Sequence, residues 1–321
     1  MWRRRSPTSP VKSSRTSDVR PGRWVTVLVL LYVGAGLAVA LVSPSDRRSA
    51  QTAEPSPTTC DQAERVDLDH SQAGHGELAW VDEFDGDAVD TRRWTVRDRT
   101  KLSFDQAIIR SRNISVRDGS LVIEARRESM RGRDFTTGYL DTIGRFSQRY
   151  GRWEIRARLP VEEGVSRGMW PAFWLRADDA PGEIDVMEAW GTPADHPGTR
   201  PARYAWNVHE DTHRPPGTGG GRMNGWGTTA DRASLADDFH VFAVDWSPTC
   251  LRFSLDGETT GSVAMDSRPW LAESLRGTVN MRLNLQVGSR FWGRVDTDRP
   301  GLTRLPAALV VDYVRVYRVP E

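Results

Sequence analysis

The sequence predicts an all-β protein: one antiparallel sandwich carried behind an N-terminal extension. Three observations predict it. From Leu78 onward, short runs alternate apolar and polar residues, as in Trp153-Glu154-Ile155-Arg156-Ala157-Arg158-Leu159. Glycine, proline, aspartate and asparagine separate the runs, with Asp118-Gly119 and Asp256-Gly257 as turn signals. No long segment carries a helical period, and the sequence has no internal repeat. Alternation assigns one face of a strand to the core and leaves the other free. On a curved sheet the free face makes a groove open at both ends, which admits a polymer in mid-chain.

The elements follow in order. Residues 1–23 are basic: Arg3, Arg4, Arg5, Lys12, Arg15, Arg20 and Arg23 stand against Asp18. The whole 321-residue chain has a net charge of +1, so the rest is mildly acidic. An acidic body excludes a nucleic-acid binder, whose partner demands a basic surface. Residues 24–42, Trp24 to Val42, are uncharged and apolar, close to the ~20 residues that cross a bilayer. The basic flank keeps its end in the cytoplasm and sends the rest outward. Two readings stay open: a transmembrane anchor that holds the chain to a membrane, or a signal peptide cut after Ala38-Val39-Ala40. Export follows from either. Residues 43–76 are rich in Ser, Pro, Thr and charge and read as a linker. Residues 77–321 form the folded domain, expected as a monomer. His240 to Trp246, Leu251 to Leu255 and Val310 to Val319 are further apolar-rich runs expected as strands.

Cys60 and Cys250 are the two cysteines. In an exported chain they permit a disulfide, the alternative being two thiols. Thirteen tryptophans act as core bulk or as flat platforms for the C–H faces of sugars. Composition alone favours bulk.

Chemistry concentrates in Gly182-Glu183-Ile184-Asp185-Val186-Met187-Glu188-Ala189-Trp190, which reads as a strand. Glu183 and Asp185 are two apart and share a face. Glu188 falls on the opposite face of a regular strand. One extra residue, a β-bulge around Val186-Met187, returns it to the same face. Ile184 and one bulge residue then face the core. A row of three acids repels itself, and glycosidic cleavage gives it a reason. That reaction needs a carboxylate nucleophile and a protonated carboxylic acid, about 5–5.5 Å apart in retaining enzymes. The middle acid can share a proton and keep its neighbours in different ionisation states.

The run Glu-Ile-Asp-Val-Met-Glu resembles the signature of glycoside hydrolase family 16 in its bulged form, typical of bacterial β-1,3-glucanases. The resemblance covers about residues 78–319, including Trp80-Val81-Asp82-Glu83-Phe84-Asp85-Gly86, Met169-Trp170-Pro171-Ala172-Phe173-Trp174 and Val311-Asp312-Tyr313-Val314-Arg315-Val316-Tyr317. It implies a β-jelly roll with a concave substrate groove, and a double-displacement mechanism without a catalytic cofactor. It makes Glu183 the nucleophile, Glu188 the general acid/base and Asp185 the assistant. It places Trp170 and Trp174 beside the cleavage point, and His209 near it. Trp190, expected with Trp170, Trp174 and His209 to bind substrate, follows Glu188 where many relatives have an aromatic residue one position earlier. Family members often carry a structural calcium, for which Glu83, Asp312 and the Gly119 carbonyl match ligands. The implied partner is a polysaccharide, β-1,3-glucan or mixed-linkage glucan. Residues 192–228, with Arg200, Arg203, Arg214, Arg222 and Trp226, are expected as loops edging the groove. Their arginines leave a galactan or an acidic exopolysaccharide open as substrate. A transglycosylase or a tethered, non-catalytic glycan-binding module are the further alternatives.

Overall fold

The computed structural model describes Cys60 and residues 76–102, 105–191, 201–211, 220–289 and 293–318. The chain divides into two units, Met1–Thr52 and Ala53–Glu321. The first, with the apolar segment at 24–42, lies outside the described residues, as does most of the expected linker. Among the described residues no helix is long and apolar enough to cross a membrane.

In chain order the strands begin with β1 (Leu78–Asp82), β2 (Thr95–Val96), β3 (Ala107–Ile109), β4 (Ile114–Arg117), β5 (Ser120–Met130) and β6 (Arg133–Thr137). Next come β7 (Tyr139–Asp141), β8 (Gly151–Arg158), β9 (Met169–Ala177), β10 (Glu183–Glu188), β11 (Arg203–His209) and β12 (Arg222–Thr228). The last are β13 (His240–Trp246), β14 (Cys250–Leu255), β15 (Glu258–Ala264), β16 (Val279–Val287) and β17 (Ala307–Tyr317). A short α-helix, α1 (Pro269–Ser274), lies between β15 and β16. The first sheet runs β15-β14-β13-β8-β17-β5-β6-β3, with β1 added on β17 and β4 on β5. The second runs β12-β11-β10-β9-β16-β7-β2. All these pairings are antiparallel except β3 with β6.

Alternation explains which residues lie between the sheets. In β8, Trp153, Ile155 and Ala157 are fully buried; in β16, Met281, Leu283 and Leu285 are. Trp94 and Trp246 join them as core bulk, each contributing about 2–3 kcal/mol by leaving water. The two Asp-Gly signals are tight hairpin turns, between β4 and β5 and between β14 and β15. Both central residues have positive φ in each: 53° and 69° at Asp118-Gly119, 50° and 85° at Asp256-Gly257. That is the backbone for which Asp-Gly is favoured.

Residues 192–228 depart from the expectation of loops. They contain β11 and β12, the edge of the second sheet. β12 hides its pattern because Gly225 and Gly227 occupy two of its three core-facing positions, beside Met223. A Cβ at Gly225 would lie 2.2 Å from the Trp206 ring, and one at Gly227 2.1 Å from Tyr204. The large rings on β11 fill the space that apolar side chains of β12 would otherwise take. Cys60 is bonded to Cys250, with Cα atoms 5.3 Å apart. Both pack on Ala264, and Arg252 Nη2 donates to the Cys60 carbonyl at 3.2 Å.

Candidate active site

β10 carries the acids, and its register shows how. Asp185 faces Trp174 on β9, while Met187 and Glu188 face Phe173 and Ala172, so one extra residue sits at Val186-Met187. The shift repeats against β11, where Asp185 pairs with Asn207 and Glu188 with Ala205. The β-bulge lies where the acid spacing demands it. Both bulge residues, not one, are fully buried in the core together with Ile184. Glu183, Asp185 and Glu188 therefore share the open face of the second sheet.

Cross-strand registers arrange that face in rows. Asn280, Arg176, Glu183, His209 and Arg222 form one row. Arg282, Trp174, Asp185, Asn207 and Asn224 form the next. Asn284, Ala172, Glu188, Ala205 and Trp226 form the third.

Each acid has a distinct environment. Glu183 stays partly open, and Arg176 Nη1 lies 3.4 Å from its Oε2. Asp185 is buried, lies close enough to Glu188 to titrate with it and meets His209 Nε2 at 3.1 Å through Oδ2. Glu188 is buried and accepts at both oxygens: from Trp170 Nε1 at 2.8 Å and from Asn207 Nδ2 at 2.6 Å. Burial drives all three carboxyls above their ordinary range, and the charge on Asp185 pushes both glutamates further. Three carboxyls this close cannot all ionise cheaply, so they titrate as one system that retains a proton. Burial lowers the pKa of His209, against the pull of Glu183. Its imidazole is the hydrogen-bond partner of Asp185. Glu183, Asp185 and His209 bring donor atoms within 4.8 Å of one another, and Arg176 already supplies positive charge there.

The aromatic residues divide. Trp170 is tied by its indole N–H to Glu188. Trp174 donates to Asn284 Oδ1 at 2.8 Å, and the Arg282 guanidinium lies 4.7 Å over its ring. Trp226 is 38% exposed, with the Arg203 guanidinium 4.6 Å over its ring. Trp190 presents no open face: it is 5% exposed and packs 6.3 Å from Trp170 and 5.4 Å from Trp226. It backs the two rings that reach the groove.

The residues matched to calcium sit elsewhere. Pairing of β1 and β5 with β17 brings Glu83 and Gly119 toward Asp312. Arg315 holds the Glu83 carboxylate through two hydrogen bonds, at 2.7 and 3.0 Å. Arg156 holds Asp312 at 2.6 Å. Calcium takes carboxylate oxygens as ligands, and here both carboxylates are neutralised by guanidinium. As they stand these residues do not fit the ion.

Arg176 and Asn207 were not singled out in the sequence, although their signal was available. Arg176 is two residues from Trp174, and Asn207 two from His209, so alternation puts them on the same face.

The family model for beta-porphyranase A-D, GH16 domain, matches residues 78–319. A beta-glucanase of Rhodothermus marinus is 33% identical over 273 residues, covering 78% of this chain and 88% of that protein. Glucan endo-1,3-beta-glucosidase A1 of Niallia circulans is 30% identical over 280 residues, 75% of this chain but only 38% of that longer protein. The solved laminarinase of Rhodothermus marinus superposes with a TM-score of 0.64 at 32% identity, covering 77% of this chain and 99% of that one. The match spans the whole sandwich and the bulged acid strand within it, and the chain belongs to glycoside hydrolase family 16, as an endo-acting glycoside hydrolase.

Proposed function

We propose that the chain is an exported, retaining endo-hydrolase of β-1,3-glucan or mixed-linkage glucan, working by double displacement through Glu183 and Glu188. The observation that carries this reading is the bulged strand, which holds three carboxyls on one open face in unlike environments. Glu183, beside Arg176 and partly open, is the nucleophile. It attacks the anomeric carbon and forms a glycosyl ester as the bond to the leaving oxygen breaks. Glu188 gives its proton to that oxygen. It then takes a proton from the water that cleaves the ester, and the β configuration is restored. Asp185, between the two, shares a proton with Glu188 and lets the outer acids differ in charge. Trp170 orients Glu188, and Trp170, Trp174 and Trp226 line the path of the sugar chain. The glucan preference rests on the names of the relatives. The apolar segment at 24–42, anchor or signal, supports export.

One observation favours a second substrate. The matching family model is named for porphyranases, and arginines lie over the rings of Trp174 and Trp226. A galactan or acidic polymer would use those cations. The test measures product release from laminarin, mixed-linkage glucan, agarose and an acidic exopolysaccharide at two salt concentrations. Release from laminarin that ignores salt supports the glucan. Salt-sensitive release from the acidic polymer alone replaces it, since exposed charges are screened within about 8–10 Å at physiological salt. For the roles, azide should rescue Glu183→Ala with inversion and Glu188→Ala with retention. The opposite pattern reverses the assignment.

A further inference from the structure

Asn207 links a cation at the sheet edge to a carboxyl at its centre. It is fully buried on β11. Its Nδ2 donates to Glu188 Oε2 at 2.6 Å. Its Oδ1 accepts from Arg222 Nε at 3.1 Å and from Nη2 of the same guanidinium. The two ends of an amide have nearly the same shape, so their partners decide the orientation. A carboxylate accepts from the NH2 end, but a carboxylic acid can equally donate to the oxygen. A guanidinium only donates. Its fork on Oδ1 therefore commits the NH2 end to Glu188, whatever the protonation of Glu188. No carboxylate among the described residues forms a salt bridge with Arg222 that would draw it from this task.

We propose that Arg222 is a positioning residue for Glu188, acting through Asn207 to keep an N–H donor on that carboxyl throughout turnover. The proposal rests on the reading of Glu188 as acid/base. Glu188 must release its proton to the leaving group and remain an effective base for the incoming water. Donors on both of its oxygens favour the ionised form that this requires. An Asn207 released to turn over would present its oxygen, stabilise the protonated acid and leave less of Glu188 ionised to act as base. The charged and titratable groups around Glu188 are Glu183 and Asp185 on β10, Arg176 on β9, His209 on β11 and Arg222 on β12. Against burial and the Asp185 charge, the Trp170 hydrogen bond, His209 and Arg222 pull its pKa down. Removing Arg222 therefore acts in the same direction by both routes, charge and amide orientation.

The experiment compares wild type, Arg222→Met and Arg222→Lys. Substrates are the polymer and an aryl glycoside with a dinitrophenolate leaving group, which departs without an acid. For Arg222→Met, the basic limb of kcat/KM on the polymer should move up by about one pH unit. On the aryl glycoside the glycosyl-enzyme should accumulate, so kcat and KM fall together, each by about tenfold or more, with kcat/KM retained. Azide attacks that ester without base assistance and should restore kcat. Arg222→Lys keeps the charge and a donor for Oδ1 and should recover the wild-type limb. A wild-type pH profile in Arg222→Met overturns the proposal. So does an equal loss on both substrates that azide leaves unchanged, which is what a merely structural role gives. Arg222 is exposed on an edge strand, and a melting curve of each variant confirms that the fold compared is the same. If Glu188→Ala is not rescued by azide with retention, the acid/base reading has failed, and that outcome is distinct from failure of the relay.

Discussion

Glu183→Gln should make the domain more stable at neutral pH while removing its activity. Burial raises the pKa of Glu183, Asp185 and Glu188, and Asp185 adds repulsion on both glutamates. A carboxyl raised in this way holds a proton in the folded chain that the unfolded chain has released. Its contribution to stability is complete below the unfolded pKa and is lost as pH rises through the folded pKa. The loss runs at about 1.4 kcal/mol per pH unit for each proton retained. One proton held from about pH 4.5 to 6.5 costs about 3 kcal/mol, or roughly 6–12 °C in Tm for a domain of this size. Glutamine at 183 takes one charge from the cluster and leaves only Asp185 and Glu188 to repel each other. The site's share of the Tm loss should then fall by roughly half. The assay is thermal unfolding of wild type and variant across that pH range, followed by circular dichroism. Equal Tm changes in the two proteins would refute the claim that the carboxyls are destabilised by one another.

Three further outcomes follow from the fold. Cys250→Ser opens a bond between residues 190 positions apart, for which chain entropy sets a ceiling of about 5 kcal/mol. Tm should fall equally in the variant and in reduced wild type, and an unchanged Tm would show that the bond contributes nothing. Gly225→Ala forces a Cβ to 2.2 Å from the Trp206 ring, so the urea midpoint should drop by the equivalent of about 1–3 kcal/mol. Calcium and a chelator should each move Tm by less than about 1 °C, because Arg315 and Arg156 already hold Glu83 and Asp312. A rise of several degrees with calcium would show that the guanidinium groups yield to the ion.

Strand position was legible wherever alternation carried large apolar residues. β13 occupies His240–Trp246 as expected, and β14 starts one residue before the expected run, at Cys250. β17 begins at Ala307 and ends at Tyr317, because the pairing with β5 begins at Ala307. β12 was illegible for a physical reason: its partner's rings take the core volume, and two of its three core positions are glycine. The acid strand was legible because an odd spacing between acids has few structural explanations, and the bulge is one. The polar neighbours of the acids were harder to see. Asn207 and Arg176 have ordinary sequence surroundings, and only the register of β9, β10 and β11 sets them beside Glu188 and Glu183. Trp190 shows the converse limit, since sequence cannot distinguish a ring that faces the groove from one that supports it.

The bulge does more than restore a face. A strand with one residue fewer between the last two acids would also place all three on one side, with a single apolar residue between them. The extra residue gives the core both Val186 and Met187, and a fully buried side chain of that size contributes about 1.5–3 kcal/mol. It also increases the local twist of the strand. Glu188 emerges opposite Ala172 on β9 and Ala205 on β11, two small residues that leave room above the sheet. Its carboxyl does not stay in that row. It bonds Asn207, which belongs to the row of Asp185, and Trp170, two positions along β9 from Ala172. Its two oxygens thus reach Asn207 in the row of Asp185 on one side and Trp170, farther from Asp185, on the other. One inserted residue thus adds to the core and keeps Glu188 on the face of the other two acids, so the five-residue spacing from Glu183 to Glu188 is compatible with a single row.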